Sequence, residues 1–326
     1  MDGSLGALYI EDELWKAEIK EELFPGLLEG FPHVKWLTGD FPTGDTLTIP
    51  TSGRMAVRTY TENTEITVED PSLNEIQLTI NKYYQSGIGI TDKFKQDSYI
   101  ATMAVATWRQ DMLRAMKEKI EADMFNTIHT DTVNGHTAAD DNDISANGSP
   151  TLDHRWAGGA EGALGVFAYD DMRHAKYVFD KHNVDKNNRI FVVDPKVSHD
   201  LMVVTGSNAS DIIRQDVYGP NEIIKSGWGV GNMLGKFYGF WVFESNLLPT
   251  VDSETLPHYG ITTTVALTAP FVNQAFGQEA LMAAFRQNIE TEQFRDHPRK
   301  RDVYHLCVRY GNRVYRKESV IAVVSV

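Results

Sequence analysis

"YDDMRHAKYVFDKHNVDKNNRIFVVDPKVSHDLM" occupies residues 169–202. It predicts a helix over 170–182, a turn at "HNVDKNN", a strand at "RIFVVD" and a second helix over 195–204. Helix, strand and helix in that order signal an α/β layer.

Downstream lies "GWGVGNMLGKFYGFWVFESNLLP", residues 227–249. Gly229, Gly231 and Gly235 are spaced G-x-G-x-x-x-G, one residue too long for a dinucleotide-binding loop. The segment leads into a strand, read at 237–245, whereas a phosphate loop follows a strand and opens a helix. A turn needing positive φ is therefore the reading of these glycines. Further on, 261–268, 283–293 and 303–310 read as strands, with a helix near 274–284. The last residues, "VYRKESVIAVVSV", are β in character.

Upstream, residues 97–129 form the clearest element. No Gly or Pro occurs from 90 to 134, and Met103, Leu113, Met116, Ile120, Met124 and Ile128 recur at helical spacings. Before it, residues 45–90 hold short β-branched runs around "TENTEITVEDPS". That reads as the tip of a long hairpin exposing Glu62, Glu65, Glu69 and Asp70. An isolated hairpin is marginal in water, so it needs another element or another chain to lie on. Residues 1–44 read as an arm with one amphipathic helix ending at Pro25-Gly26. Residues 130–165, rich in Gly, Asp, Asn and Ser, read as a loop or insertion.

Hydrophobic residues at 42% and charged residues at 23% fit a soluble globular chain with a sizeable core. No apolar run is long enough for a transmembrane helix, and the acidic N-terminus does not read as a signal peptide. The single cysteine, Cys307, excludes an intrachain disulfide and sits in an apolar run as a packed thiol. The net charge is −14. Residues 294–326 carry eight Lys/Arg against three Asp/Glu, so the remainder carries −19, a poor nucleic-acid binder.

No constellation makes an active site. Asp141, Asp143, Ser145 and Asn147 alternate like half a calcium loop, but Ala146 and Leu152 stand where Gly and Glu are needed. Ser198, His199 and Asp200 are consecutive and do not converge as a triad. His129 and His136 lack a third ligand at zinc spacing. Glu290 and Glu292 share a strand face, as a carboxylate pair or, the commoner case, as exposed strand charges. The cluster "RDHPRKR", 295–301, lies at a turn between strands and lacks interleaved aromatics. It reads as an inter-subunit salt-bridge patch or a solvated turn. No catalytic residue, cofactor or metal site is assigned. A large acidic chain with an arm, an orphan hairpin and no chemistry suggests an assembly protein.

In this order the elements resemble the major capsid proteins of tailed double-stranded DNA bacteriophages, the Hong Kong 97-like fold. The resemblance spans nearly the whole chain and is most specific at 169–202 and 227–249. It implies an α+β fold: an N-terminal arm at 1–44, an extended hairpin (E-loop) at 45–90 and a spine helix at 91–130. An axial domain at 131–282 with a loop insertion at 131–165 follows, then peripheral strands and a C-terminal return at 283–326. It implies a structural protein, not an enzyme, assembling in the host bacterial cytoplasm into virion hexamers and pentamers around double-stranded DNA, with no membrane. A separate scaffolding protein is implied, because the chain starts directly with the arm; a portal and a cement protein are further partners. An encapsulin-type compartment shell of the same fold and a cytoplasmic α/β enzyme are the alternatives. The acidic tip (Glu62, Glu65, Glu69, Asp70) is expected to meet Arg299, Lys300 and Arg301 on another subunit. Some relatives weld subunits through a hairpin lysine and an asparagine of a neighbour. Residues 36–81 contain no lysine, so a non-covalent shell is expected.

Overall fold

The computed structural model describes residues 33–40, 44–52, 59–63, 65, 73–97, 101–134, 154–160, 163–202, 233–258 and 264–326. The predicted arm helix, the calcium-like loop, and Gly229 and Gly231 lie outside them. The chain divides into two compact units. One comprises 1–47, 78–124 and 282–313; the other comprises 48–77, 125–281 and 314–326.

The first unit holds a four-stranded sheet in the order β1-β14-β15-β4. Its strands are β1 (Val34–Trp36), β14 (Leu281–Asp296), β15 (Arg301–Val314) and β4 (Lys82–Thr91). β4 alternates in burial, so one face of this sheet is covered and the other is open. Its partner is β15, paired from Arg301↔Thr91 to Tyr310↔Lys82. "YYQSGIGIT" was read with the hairpin, yet it belongs to this sheet. Gly311 sits where no side chain fits: an added Cβ would lie 2.3 Å from the carbonyl oxygen of Thr79. The remaining hairpin strands, β2 (Thr46–Ser52) and β3 (Leu73–Thr79), pair with each other.

The long helix is real but shifted. A short α1 (Asp92–Asp97) precedes α2 (Ala101–Asn134), a helix of 34 residues and about 51 Å. Met112, Leu113, Met116, Ile120, Met124, Phe125 and Ile128 form its buried stripe. It outruns the predicted end, and in its last turns Thr130 and Thr132 turn their hydroxyls back onto the carbonyls of Asn126 and Ile128, at 2.8 and 3.0 Å, which satisfies the hydroxyls within the helix.

The second unit is built on a six-stranded mixed sheet, β5-β16-β13-β8-β10-β9. These strands are β5 (Arg155–Ala157), β16 (Val320–Ser325), β13 (Phe271–Phe276), β8 (Arg189–Val193), β10 (Phe240–Glu244) and β9 (Met233–Phe237). Two small pairs accompany it: β6 (Gly159–Ala160) with β7 (Ala163–Leu164), and β11 (Ser253–Pro257) with β12 (Thr264–Thr268). β8 and β16 are buried at every residue, as strands covered on both faces are. α3 (Tyr169–Lys181) and α4 (Pro195–Met202) flank β8 in sequence, and α3 lays Met172, Ala175, Val178 and Phe179 into the core.

Three predictions need correction here. The region 274–284 is not a helix: β13 covers its start and β14 its end. Gly277 and Glu279 break it, because a Cβ at 277 would lie 2.7 Å from Val184 Cγ1 and Glu279 takes φ 52°. The strand at 237–245 is two strands, β9 and β10, reversed at Tyr238 and Gly239, both left-handed at φ 50° and 91°. That is the two-residue turn that matches strand twist. Gly235, from the glycine-rich segment, is a ladder residue opposite Val242. Finally, 131–165 is not loop throughout: α2 runs to Asn134, and β5 is fully buried.

Candidate inter-subunit surface

The turn between β14 and β15 carries the basic cluster. Lys300 holds it in shape with a left-handed φ of 46°. The Lys300 amide donates to His297 O at 3.3 Å, and the Asp92 amide donates to Lys300 O at 3.1 Å. Arg301 Nε donates to Asp296 Oδ2 at 2.9 Å, and Arg299 Nη1 lies 3.6 Å from the same oxygen. The Arg301 hydrogen bond holds the Asp296 carboxyl below its ordinary range. Two of the three predicted cations are thus engaged by a carboxylate of their own chain. Lys300 is exposed.

A second knot lies beside it. Arg295 forks onto Asp92 through both terminal nitrogens, one of them at 2.6 Å, and donates to Asp302 Oδ1 at 2.7 Å. Lys95, one turn into α1, caps Asp302 on its other oxygen. The Arg295 guanidinium is pushed up by its bond to Asp92 first and Asp302 second. These pairs are solvent-washed, so each holds geometry more than it stabilises. Asp92, Lys95 and Asp302 were not singled out from the sequence. Asp92 and Arg295 are 203 positions apart, and no spacing rule joins them.

Of the predicted acidic residues, Glu62 and Glu65 are exposed, and Asn63 between them is left-handed at φ 69°, as a turn residue is. Glu69 and Asp70 lie outside the described residues. Along β14, Glu292, Gln293, Phe294 and Arg295 are exposed one after another, and Phe294 shows 52% of its surface. Consecutive exposure means that neither face of this strand end is covered by the described residues.

The remaining sequence candidates resolve as structural. Cys307 is buried, and burial pushes its thiol up. Ser198 is buried on α4 while His199 is exposed and Asp200 half-buried, so the three do not converge. His129 is held below its usual range by burial and by Arg155; His136 lies outside the described residues. No group of three His, Cys, Asp or Glu able to hold a metal occurs among the described residues. No helix there is long and apolar enough to cross a membrane.

Two buried carboxylates were missed from sequence. Asp171, at the start of α3, accepts from the indole of Trp156 at 3.2 Å and from the amides of Gly159 and Ala168 at 2.9 and 2.8 Å. Burial nonetheless pushes its carboxyl up to about 7. Asp123, on α2, accepts from the hydroxyls of Tyr84 and Tyr310 at 2.5 and 2.8 Å.

Comparison with known proteins gives these features a setting. A family model described as a phage capsid protein matches residues 74–310. A search of curated proteins returned no match. Among solved structures, the capsid of the cyanophage P-SCSP1u superposes with a TM-score of 0.62 at 16% identity, over 91% of this chain and 87% of that one. A chain of Mycobacterium phage Che8 gives 0.59 at 18% identity, over 89% and 88%. The capsid of Ralstonia phage GP4 gives 0.58 at 11% identity, over 90% and 86%.

Proposed function

The chain belongs to the phage capsid protein family, and from that premise we propose that its copies close as hexamers and pentamers into an icosahedral head around double-stranded DNA. It is a structural protein of the virion with the Hong Kong 97-like capsid fold. The family match over 74–310 carries this reading, because it covers most of both units.

Within the head we assign parts as follows. Residues 1–44 act as an arm, 45–90 as an extended hairpin lapping a neighbour, and 91–130 as the spine. Residues 131–282, with their insertion at 131–165, meet at the capsomer centre. The strands of 283–326 form the periphery. A strand end exposed on both faces at 292–295 supports a neighbour's cover there. We assign Lys300 as the main cation meeting the acidic hairpin tip, since Arg299 and Arg301 already serve Asp296. A separate scaffolding protein, a portal and a cement protein complete the proposed assembly in the host cytoplasm. Strong acidity suits a container that does not grip its DNA.

Electron microscopy of the purified protein tests this: closed shells or capsomers are expected, and particles filled with an enzyme cargo in place of DNA would overturn the phage-head reading. Boiled mature particles should run as one band near 36.6 kDa. A ladder of multimers would show that neighbours are welded.

A further inference from the structure

The covered face of the first unit's sheet holds a reactive arrangement that the capsid role does not use. Lys82 opens β4 and stands opposite Tyr310 in the β4–β15 register. Asn312, two residues beyond Tyr310, presents its side chain on the same face. Lys82 Nζ donates to Asn312 Oδ1 at 2.6 Å. An ammonium in that bond must face the amide oxygen, since the amide nitrogen carries only donors. Amine and amide carbonyl are thus already in contact.

Asp123 sits beside them from α2. Its Oδ2 is 3.8 Å from Lys82 Nζ, and its Oδ1 is 3.2 Å from Lys119 Nζ. Burial works to raise the Asp123 carboxyl, but bonds from Tyr84, Tyr310 and the lysines bring it below its ordinary value, so it is charged and able to take a proton. Burial, with Lys119 nearby, holds the Lys82 ammonium below its usual range against the pull of Asp123. The rings of Tyr84 and Tyr310 stand 6.0 Å apart, and Phe285 lies 5.8 Å from Tyr310, tilted at 45° to it. Lys119 is not the nucleophile, because its side chain is 53% exposed and is engaged on the other carboxylate oxygen.

We propose that Lys82 and Asn312 join in an isopeptide bond within one chain, with Asp123 as the proton carrier. Once its ammonium has shed one proton to solvent, Lys82 Nζ attacks Asn312 Cγ with its lone pair and gives a second proton to Asp123. The new carbon–nitrogen bond forms, the proton passes from Asp123 to Nδ2, and the old carbon–nitrogen bond breaks with loss of ammonia. No oxidant or co-reactant enters. Pre-contact of the two groups replaces a bimolecular encounter. The product ties β4 to β15 across 230 positions of sequence. It leaves one chain per band in a gel, so it is independent of the non-covalent shell and of the capsid reading.

The test is mass spectrometry of the full chain, taken from particles and denatured. The expected mass is one ammonia below that of the sequence, with a branched tryptic peptide joining Lys82 to Asn312. Lys82→Met and Asn312→Ala should each have the full mass. Asp123→Ala should lack the branched peptide while still giving a folded far-UV spectrum. Wild-type protein of full mass with both residues in linear peptides overturns the proposal, whatever the variants do. A missing ammonia without the branched peptide also overturns it. The Asn–Gly pairs at 134–135 and 147–148 could cyclise to the same mass. A branched peptide that persists in Asp123→Ala removes Asp123 from the reaction.

Discussion

Replacing Arg155 by methionine should be among the most destabilising single changes in the second unit. Arg155 is 3% exposed. Its Nε and Nη2 fork onto Glu254 at 2.9 and 2.5 Å, and its Nη1 reaches Thr132 Oγ1 at 3.1 Å. Methionine keeps the stem and removes the charge, leaving Glu254 at 17% exposure without its counter-ion. Breaking a buried pair from one side costs about 3–5 kcal/mol. Glu254 retains some water, which places the expected loss near the lower end, at about 3 kcal/mol. Thr132 is not orphaned, because its hydroxyl still donates to Ile128 O. Removing both charges, with Arg155→Met and Glu254→Leu together, should cost less than the single change, since apolar replacement of a buried pair is often close to neutral. Urea unfolding of the unassembled subunit, followed by circular dichroism, gives both values. A single-mutant loss under about 1 kcal/mol, or two losses that simply add, would refute the claim that the pair is desolvated and coupled.

Gly311→Ala should lower subunit stability by about 1–3 kcal/mol or more, because its Cβ meets a backbone oxygen that cannot step aside. Gly39→Ala, with nothing within 4 Å, is the matched control for the same thermal melt and should change little. Asp171 binds a proton more readily folded, at about 7, than unfolded, near 3.8. Its contribution therefore weakens as pH rises between those values, and Asp171→Asn should remove that slope from unfolding curves; an unchanged slope would sink the assignment. Lys300→Glu should reduce particle yield while leaving the subunit spectrum intact. It is a cleaner test than reversing Arg299 and Arg301, which would also set new carboxylates against Asp296. Normal yield from Lys300→Glu would reject the tip-to-turn pairing.

Local chemistry decided what the sequence could tell. α3, β8 and α4 fall within two residues of their predicted bounds, because the period changes from helical to strand across a turn rich in Asn and Asp. The misread helix at 274–284 fails for the opposite reason. Asn273 and Gln274 look like surface residues, yet both are buried. Asn273 takes the Asp194 amide and donates to Ser325, and Gln274 donates to Phe125 O. Those partners are 52 to 149 positions away, beyond any periodicity. The predicted cations were placed correctly at a turn, but Asp296 as a shared partner of Arg299 and Arg301 became visible only with the strand ends in space. The Lys82, Asp123 and Asn312 cluster had no sequence signal at all.

The two units differ in how they satisfy their strands, and this difference bears on the role. In the second unit, β8 and β16 are buried throughout, and polar groups such as Asn273 and Asp171 find their partners inside the chain. In the first, β4 offers an open face, and β14 runs out exposed on both sides, held by Arg295, Asp92 and Asp302 in place of apolar burial. Exposed ion pairs contribute little free energy, so they set the position of this strand end more than they stabilise it. A strand positioned but not covered is suited to receive another chain. The ion pairs fix where that chain must land, and the missing apolar cover is what assembly would supply.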